Sequence, residues 1–244
     1  MADRPTIWLT RPREDSTSFA NELAAQNIAA MIAPVLHIVR EAMPTLTITN
    51  PAALLITSRH AAHALAALPP EWLQLPAYCV GSATAQAAAE YGLTRIIPGA
   101  RNALALLPHI VSDIPASSEL LYLAGDETRT DVVTLLGKEN IHVTTAIVYR
   151  AIAERTLNDE IRSALSDHRV SAAAFFSARS AEIACTMMKR NNLTSAATRM
   201  HAYCLSAAVA KAAKALPWAN IYTCPTPTRH AMRELIVSRE RKKG

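Results

Sequence analysis

The tripeptide Val148-Tyr149-Arg150 closes residues 121–150, LYLAGDETRTDVVTLLGKENIHVTTAIVYR, and Tyr149 is the side chain there best placed to do chemistry. A second set of groups is recognised by type and position. Small hydroxyl residues and arginines recur at turns: Thr10-Arg11, Ser58-Arg59, Ser82-Ala83-Thr84, residues 125–129 ending in Arg129, Ser177 to Ser180, Ser206 and Thr226. Where such a turn precedes a helix, the unpaired N–H groups of the first helical turn favour an anion, and hydroxyls or a guanidinium add donors for carboxylate or phosphate. Ser58, Ser82 and Ser177 are equally what a helix N-cap requires without any ligand. Repetition of the pattern in both halves of the chain favours a shared anion-binding cleft.

Those turns exist only if the elements around them do. Within residues 121–150 a short apolar run is broken by Gly125 and Asp126, Val132, Leu135 and Leu136 recur at helical spacing, and residues 141–148 are rich in β-branched side chains. This is a βαβ unit, with Gly137 expected to end its helix in the left-handed conformation. Upstream, strands are expected at 7–9, 28–36 (interrupted by Pro34), 53–56, 77–80 and 96–97. Helices are expected at 16–25 (capped by Asp15 or Ser16), 61–68 (capped by Ser58), 85–91 (closed by Gly92) and 103–107, and residues 37–50 read as a linker. Downstream, helices at 158–165, 181–189, 209–216 and 229–239 alternate with strands at 172–176, 201–205 and 220–224. Such alternation is the signature of α/β architecture with parallel sheets.

The second half repeats the first. Ile56-Thr57-Ser58-Arg59-His60-Ala61 answers Phe176-Ser177-Ala178-Arg179-Ser180-Ala181, and Tyr78-Cys79-Val80-Gly81-Ser82-Ala83 answers Tyr203-Cys204-Leu205-Ser206-Ala207-Ala208 at nearly the same separation. Residues 9–28 likewise resemble residues 123–141. A long-period duplication of βα units implies two similar α/β domains, and the repeats alone would place a cut near Ser117.

The chain has 244 residues, 50% of them hydrophobic, and a formal net charge of +5. The charge suits an anionic ligand, but part of it is the tail Arg239, Arg241, Lys242 and Lys243, and no basic stripe is interleaved with aromatics as a nucleic-acid binder would need. Cys79, Cys185, Cys204 and Cys224 lack CxxC spacing and read as small buried hydrophobes. The pair His60 and His63 is weak as a metal site. No GxGxxG, GxxxxGK[ST] or GxSxG motif supports nucleotide or acyl-serine chemistry. Residues 1–15 carry no apolar signal region and no run approaches the roughly 18 apolar residues of a membrane helix, so the cytoplasm is the expected location.

Taken in order, Thr10-Arg11-Pro12, Pro34-Val35, Thr57-Ser58, Val80-Gly81-Ser82-Ala83-Thr84-Ala85, the turn from Gly125 to Arg129, Val148-Tyr149-Arg150, Phe176-Ser177 and Pro225-Thr226 resemble the uroporphyrinogen-III synthase family of tetrapyrrole biosynthesis. The resemblance covers nearly the whole chain. It implies two flavodoxin-like α/β domains joined by a two-stranded connector with a cleft between them, the first made of residues 1–36 with 154–244 and the second of 37–153. Two slim connecting strands would let the domains move independently.

The resemblance also implies a reaction: closure of hydroxymethylbilane, a linear polycarboxylate tetrapyrrole, with loss of water and inversion of the last ring, without metal or organic cofactor. Tyr149 would then be the general acid for the departing hydroxyl. Thr10, Arg11, Ser58, Ser82, Thr84, Arg129, Ser177 and Thr226 would meet the substrate. A monomer is expected, binding the bilane and transiently the enzyme that makes it, with no nucleic acid and no membrane. One departure stands out: where the family often has a hydroxyl residue in the second copy of the Gly81 turn, this chain has Ala208. A non-catalytic tetrapyrrole or anion sensor on the same fold is the alternative that this departure favours, and retention of Tyr149 and Arg129 argues against it.

Overall fold

In a computed structural model, which describes residues 6–98, 103–127 and 131–241, the chain divides into two compact units, Met1–His37 with Ile152–Gly244 and Ile38–Ala151. The chain is therefore discontinuous in the first unit.

The first unit is built on five strands: β1 (Thr6–Leu9), β2 (Ala29–Ile32), β9 (Ala172–Phe175), β10 (His201–Cys204) and β11 (Asn220–Thr223). They lie in the order β11-β10-β9-β1-β2, and every pairing is parallel. Read from β2, this is the 2-1-3-4-5 order of doubly wound sheets. The central strands are buried on both faces, which is why they read as apolar runs. On one face Trp8, Phe175 and Met188 share a cluster; on the other, Ile7, Leu9, Phe19 and Tyr203 do.

The second unit has β3 (Leu36–Arg40), β4 (Ala53–Ile56), β5 (Ala77–Cys79), β6 (Ile96–Pro98), β7 (Glu119–Gly125) and β8 (His142–Ala153). Their order is β3-β8-β7-β4-β5-β6, and the pairs β4–β5, β4–β7, β5–β6 and β7–β8 are parallel. Setting β8, β7, β4, β5 and β6 beside β2, β1, β9, β10 and β11 superposes the two orders. The repeated segments of the sequence fall on matching strands, β4 with β9 and β5 with β10. One sheet is thus a circularly permuted copy of the other.

Local departures from the expected elements have identifiable causes. The first helix is Arg13–Ala24 with Pro12 at its N-cap and no side-chain cap, so Asp15 and Ser16 lie inside the first turn. Proline presets the entry φ and starts the helix early. Residues 37–40, expected in a linker, belong to β3 beyond the break at Pro34. The segment after Ser58 is a 3-10 helix, Arg59–Ala67, which alanines tolerate because their side chains are small enough to stack three apart. The helix expected at 103–107 continues as Leu107–Asp113, with Pro108 in its first turn. Gly137 stays helical, and the left-handed residue is Asn140, φ 60°, whose short polar side chain accepts that conformation.

Candidate active site

In a doubly wound sheet the helices after two adjacent strands leave on opposite faces at one point, and the crevice so opened at the strand carboxyl ends is where ligands bind. In the second unit that point lies between β4 and β7. Ala61 and Leu65, after β4, pack on one face with Leu121 and Leu123, whereas Val132 and Leu136, after β7, pack on the other with Tyr122. The turns at this crevice are Thr57-Ser58 and the one that begins at Gly125. Ser58 Oγ accepts the N–H of His60 at 3.2 Å and caps the 3-10 helix. Thr57 and Tyr122 join their hydroxyls at 2.9 Å across the β4–β7 pair. Burial raises the Tyr122 phenol, the Thr57 bond pulls it down, and the neighbouring Tyr149 adds to the rise.

Tyr149 enters this crevice from β8. The β7–β8 register runs Ala124 to Ile147 and then Gly125 to Tyr149, leaving Val148 as the extra residue of a bulge, a device that re-aims a side chain. The Tyr149 carbonyl accepts the Asp126 N–H at 3.1 Å, and Asp126 Oδ1 accepts the Ala151 N–H at 3.2 Å. The phenol is half-buried, lies against Gly125 and has the His60 ring 5.8 Å away, tilted 55°. At the next strand end Gly81, φ 78° and ψ 158°, precedes the helix Ser82–Glu90 without any side-chain cap. Ser82 is exposed and Thr84 buried in that first turn. Arg129 lies outside the described residues.

The corresponding point of the first unit lies between β1 and β9. Ser177 Oγ accepts the Ser180 N–H at 3.1 Å and pairs with its hydroxyl at 2.9 Å. Arg11 reaches Asp15 at 2.9 Å, and its guanidinium covers the Phe176 ring at 4.7 Å. Thr10 has no exposed surface, and its hydroxyl donates to the Ala174 carbonyl at 2.9 Å, so this side chain ties β1 to β9. Thr226 is exposed and its carbonyl accepts the Thr228 N–H at 2.8 Å, while Thr228 caps the helix Arg229–Glu240. Ser206 caps the helix Ala207–Ala213, leaving Ala208 exposed at its start.

The arrangement therefore places Ser58 and Tyr149 at the strand-end crevice of the second unit, with His60 beside both, and Thr10, Arg11 and Ser177 at the ends of β1 and β9 in the first. Gly125, Thr57, Tyr122 and His60 are neighbours of Tyr149 or of its crevice that residue types alone did not single out. The sequence carried partial signals for three of them, the Gly-Asp break after β7 for Gly125 and the repeated segment 56–61 for Thr57 and His60, and none for Tyr122. The four cysteines are buried, and burial pushes Cys79, Cys185 and Cys224 up to about 11 and Cys204 to about 12, which leaves thiols unsuited to nucleophilic work at neutral pH. Among the described residues no group of three His, Cys, Asp or Glu could hold a metal ion. No helix among them is long and apolar enough to cross a membrane.

Two sheets with parallel strands, each with helices on both faces and with hydroxyl-bearing turns at the strand ends, define an α/β protein of the doubly wound class. A family model described as uroporphyrinogen-III synthase HemD matches residues 17–234. The chain belongs to the uroporphyrinogen-III synthase family. Solved structures similar to it include a uroporphyrinogen-III synthetase from Helicobacter pylori, 17% identical with a TM-score of 0.62 over 96% of this chain and 99% of that one. Another is a mutant uroporphyrinogen III synthase from the extremely thermophilic bacterium Thermus thermophilus, 16% identical with a TM-score of 0.57 over 98% of this chain and 100% of that one. At such identities these two report on the fold. No curated protein sequence matches the chain significantly.

Proposed function

We infer that the chain is a cyclising hydro-lyase that converts hydroxymethylbilane to uroporphyrinogen III and water, in haem biosynthesis. The family match across residues 17–234 carries this reading. The bilane closes unaided to the uninverted isomer, so the protein's contribution is to hold it in the pose that leads to the other closure. Tyr149 gives its phenolic proton to the terminal hydroxyl as the C–O bond breaks. Water leaves and a protonated azafulvene remains; the far ring attacks it to form a spiro intermediate, whose older bond to the last ring breaks and re-forms with that ring inverted, and the proton released on rearomatisation returns to the Tyr149 phenolate. Arg11, Arg129, Ser58, Ser82, Thr84, Ser177 and Thr226 receive the substrate's carboxylates at the strand-end turns, and Thr10 acts there by holding β1 to β9. Support for this assignment comes from the crevice positions of Ser58, Ser177, Arg11 and Tyr149, and from the uncapped helix start at Gly81.

The two compact units serve as the two flavodoxin-like domains, with β3 and β8 as the connector. No metal or organic cofactor takes part. The protein works as a cytoplasmic monomer that meets the bilane-forming enzyme transiently. Freshly made hydroxymethylbilane, given to the purified protein, stopped with acid and oxidised, is expected to yield type III uroporphyrin in excess over type I. Type I alone from folded protein would contradict the reading.

A further inference from the structure

We propose that Gly125 is a positioning residue for Tyr149: the missing side chain on β7 is the seat in which the phenol rests. A Cβ at Gly125 would stand 2.5 Å from Cζ, 2.7 Å from Cε2 and 2.8 Å from the hydroxyl of Tyr149, closer than carbon atoms approach without displacement. Among the described glycines so close a contact is found at this position alone, since a Cβ at Gly81 or Gly137 would meet nothing within 4 Å and one at Gly92 would make an ordinary contact, 3.5 Å from Leu73 Cδ1. Three further features hold the tyrosine to that seat. The bulge puts Tyr149 opposite Gly125, the Asp126 N–H binds the Tyr149 carbonyl at 3.1 Å, and Asp126 Oδ1 takes the Ala151 N–H at 3.2 Å. With its backbone fixed on both sides, Tyr149 can answer a methyl group at position 125 only by swinging its ring away. The requirement is one of space. A glycine at 125 is needed because a ring occupies the volume, and the ring's hydroxyl is thereby set at one place in the crevice.

The catalytic use of this seat rests on the proposed role of Tyr149, and the test separates the two. Type III formation is measured for wild type, Gly125→Ala, Tyr149→Phe and the double variant. Gly125→Ala is expected to lose at least about 10-fold in kcat with a smaller change in KM, and the double variant to be no slower than the slower single. A wild-type rate for Gly125→Ala, or losses that multiply in the double variant, would overturn the proposal.

Melting temperatures supply a readout that does not depend on activity, also if Gly125→Ala folds poorly. Gly125→Ala is expected to lower Tm by about 5 °C in the wild-type background and to change it little in a Tyr149→Ala background, where the ring is gone. Equal losses in both backgrounds would show that the ring does not need the glycine. If Tyr149→Phe keeps full activity while Tm still couples the two positions, the seat stands as packing, and its catalytic use falls with the role of Tyr149.

Discussion

A phenol with a pKa near 10 is a modest proton donor at neutral pH, and what a protein adds to it is position. Tyr149 sits at a bulge, against Gly125 and near the His60 ring. Removing its hydroxyl as Tyr149→Phe is expected to slow type III formation by about one to two orders of magnitude, the low end of the roughly 10²- to 10⁴-fold that general acid help is worth, because a phenol is a modest acid. An undiminished rate would remove Tyr149 from the chemistry. Thr10 is a contrast. Thr10→Val takes the donor from the Ala174 carbonyl in a fully buried site, and an expected loss of about 1 kcal/mol in urea unfolding follows. Residue type and place in the sequence put Ser58 and Ser177 at helix starts, where the structure has them, whereas Tyr149 was singled out by the family resemblance. The contacts around Tyr149 were not legible, because the Thr57–Tyr122 bond joins residues 65 apart and the Gly125 contact depends on a bulge that only strand pairing creates.

Among the elements, the helix starts divide by how they are capped. Ser58, Ser177, Ser206 and Thr228 each accept an N–H of the first turn, whereas Gly81 offers no side chain. Ser177→Ala is expected to cost about 1 kcal/mol in denaturant unfolding, the usual worth of such a cap. At Gly81 the backbone, φ 78° and ψ 158°, lies where only glycine is unstrained. Gly81→Ala is therefore expected to cost about 1–3 kcal/mol despite open space around it, and a neutral result in the same unfolding experiment would contradict this. Alternation of strand and helix was readable from periodicity, and so were the caps at Ser58 and Ser177. The first helix start was not, because Pro12 outcompetes Asp15 and Ser16, and neither was the 3-10 winding of Arg59–Ala67, which hydrophobic spacing does not distinguish from an α-helix over so short a run.

At the scale of the molecule, the duplication visible in the sequence becomes two sheets of the same order, one cyclically permuted. Linear repeats place the cut near Ser117, whereas the chain's path puts Met1–His37 with Ile152–Gly244. A repeat comparison carries no information about which segments share a sheet. The buried thiols give the two units different responses to alkali. The ordinary thiol value is 9.0, and burial moves Cys185, Cys204 and Cys224 of the first unit to about 11, 12 and 11, against Cys79 alone, at about 11, in the second. Above pH 9 the unfolded chain releases these protons while the folded chain keeps them. Stability is therefore intact below that pH and falls as pH rises toward the folded values, by up to ~1.4 kcal/mol per thiol per pH unit. Calorimetry under reducing conditions at pH 8 and pH 10 is expected to show the first unit losing Tm faster, and parallel losses would contradict the assignment.

The central claim, that this chain directs ring closure, is tested most directly by the ratio of type III to type I product as protein concentration is raised against a fixed amount of hydroxymethylbilane. Because spontaneous closure runs in parallel, a catalyst predicts a ratio that climbs in proportion to protein until type III is nearly the sole product; a ratio held at the spontaneous value at every concentration would contradict it.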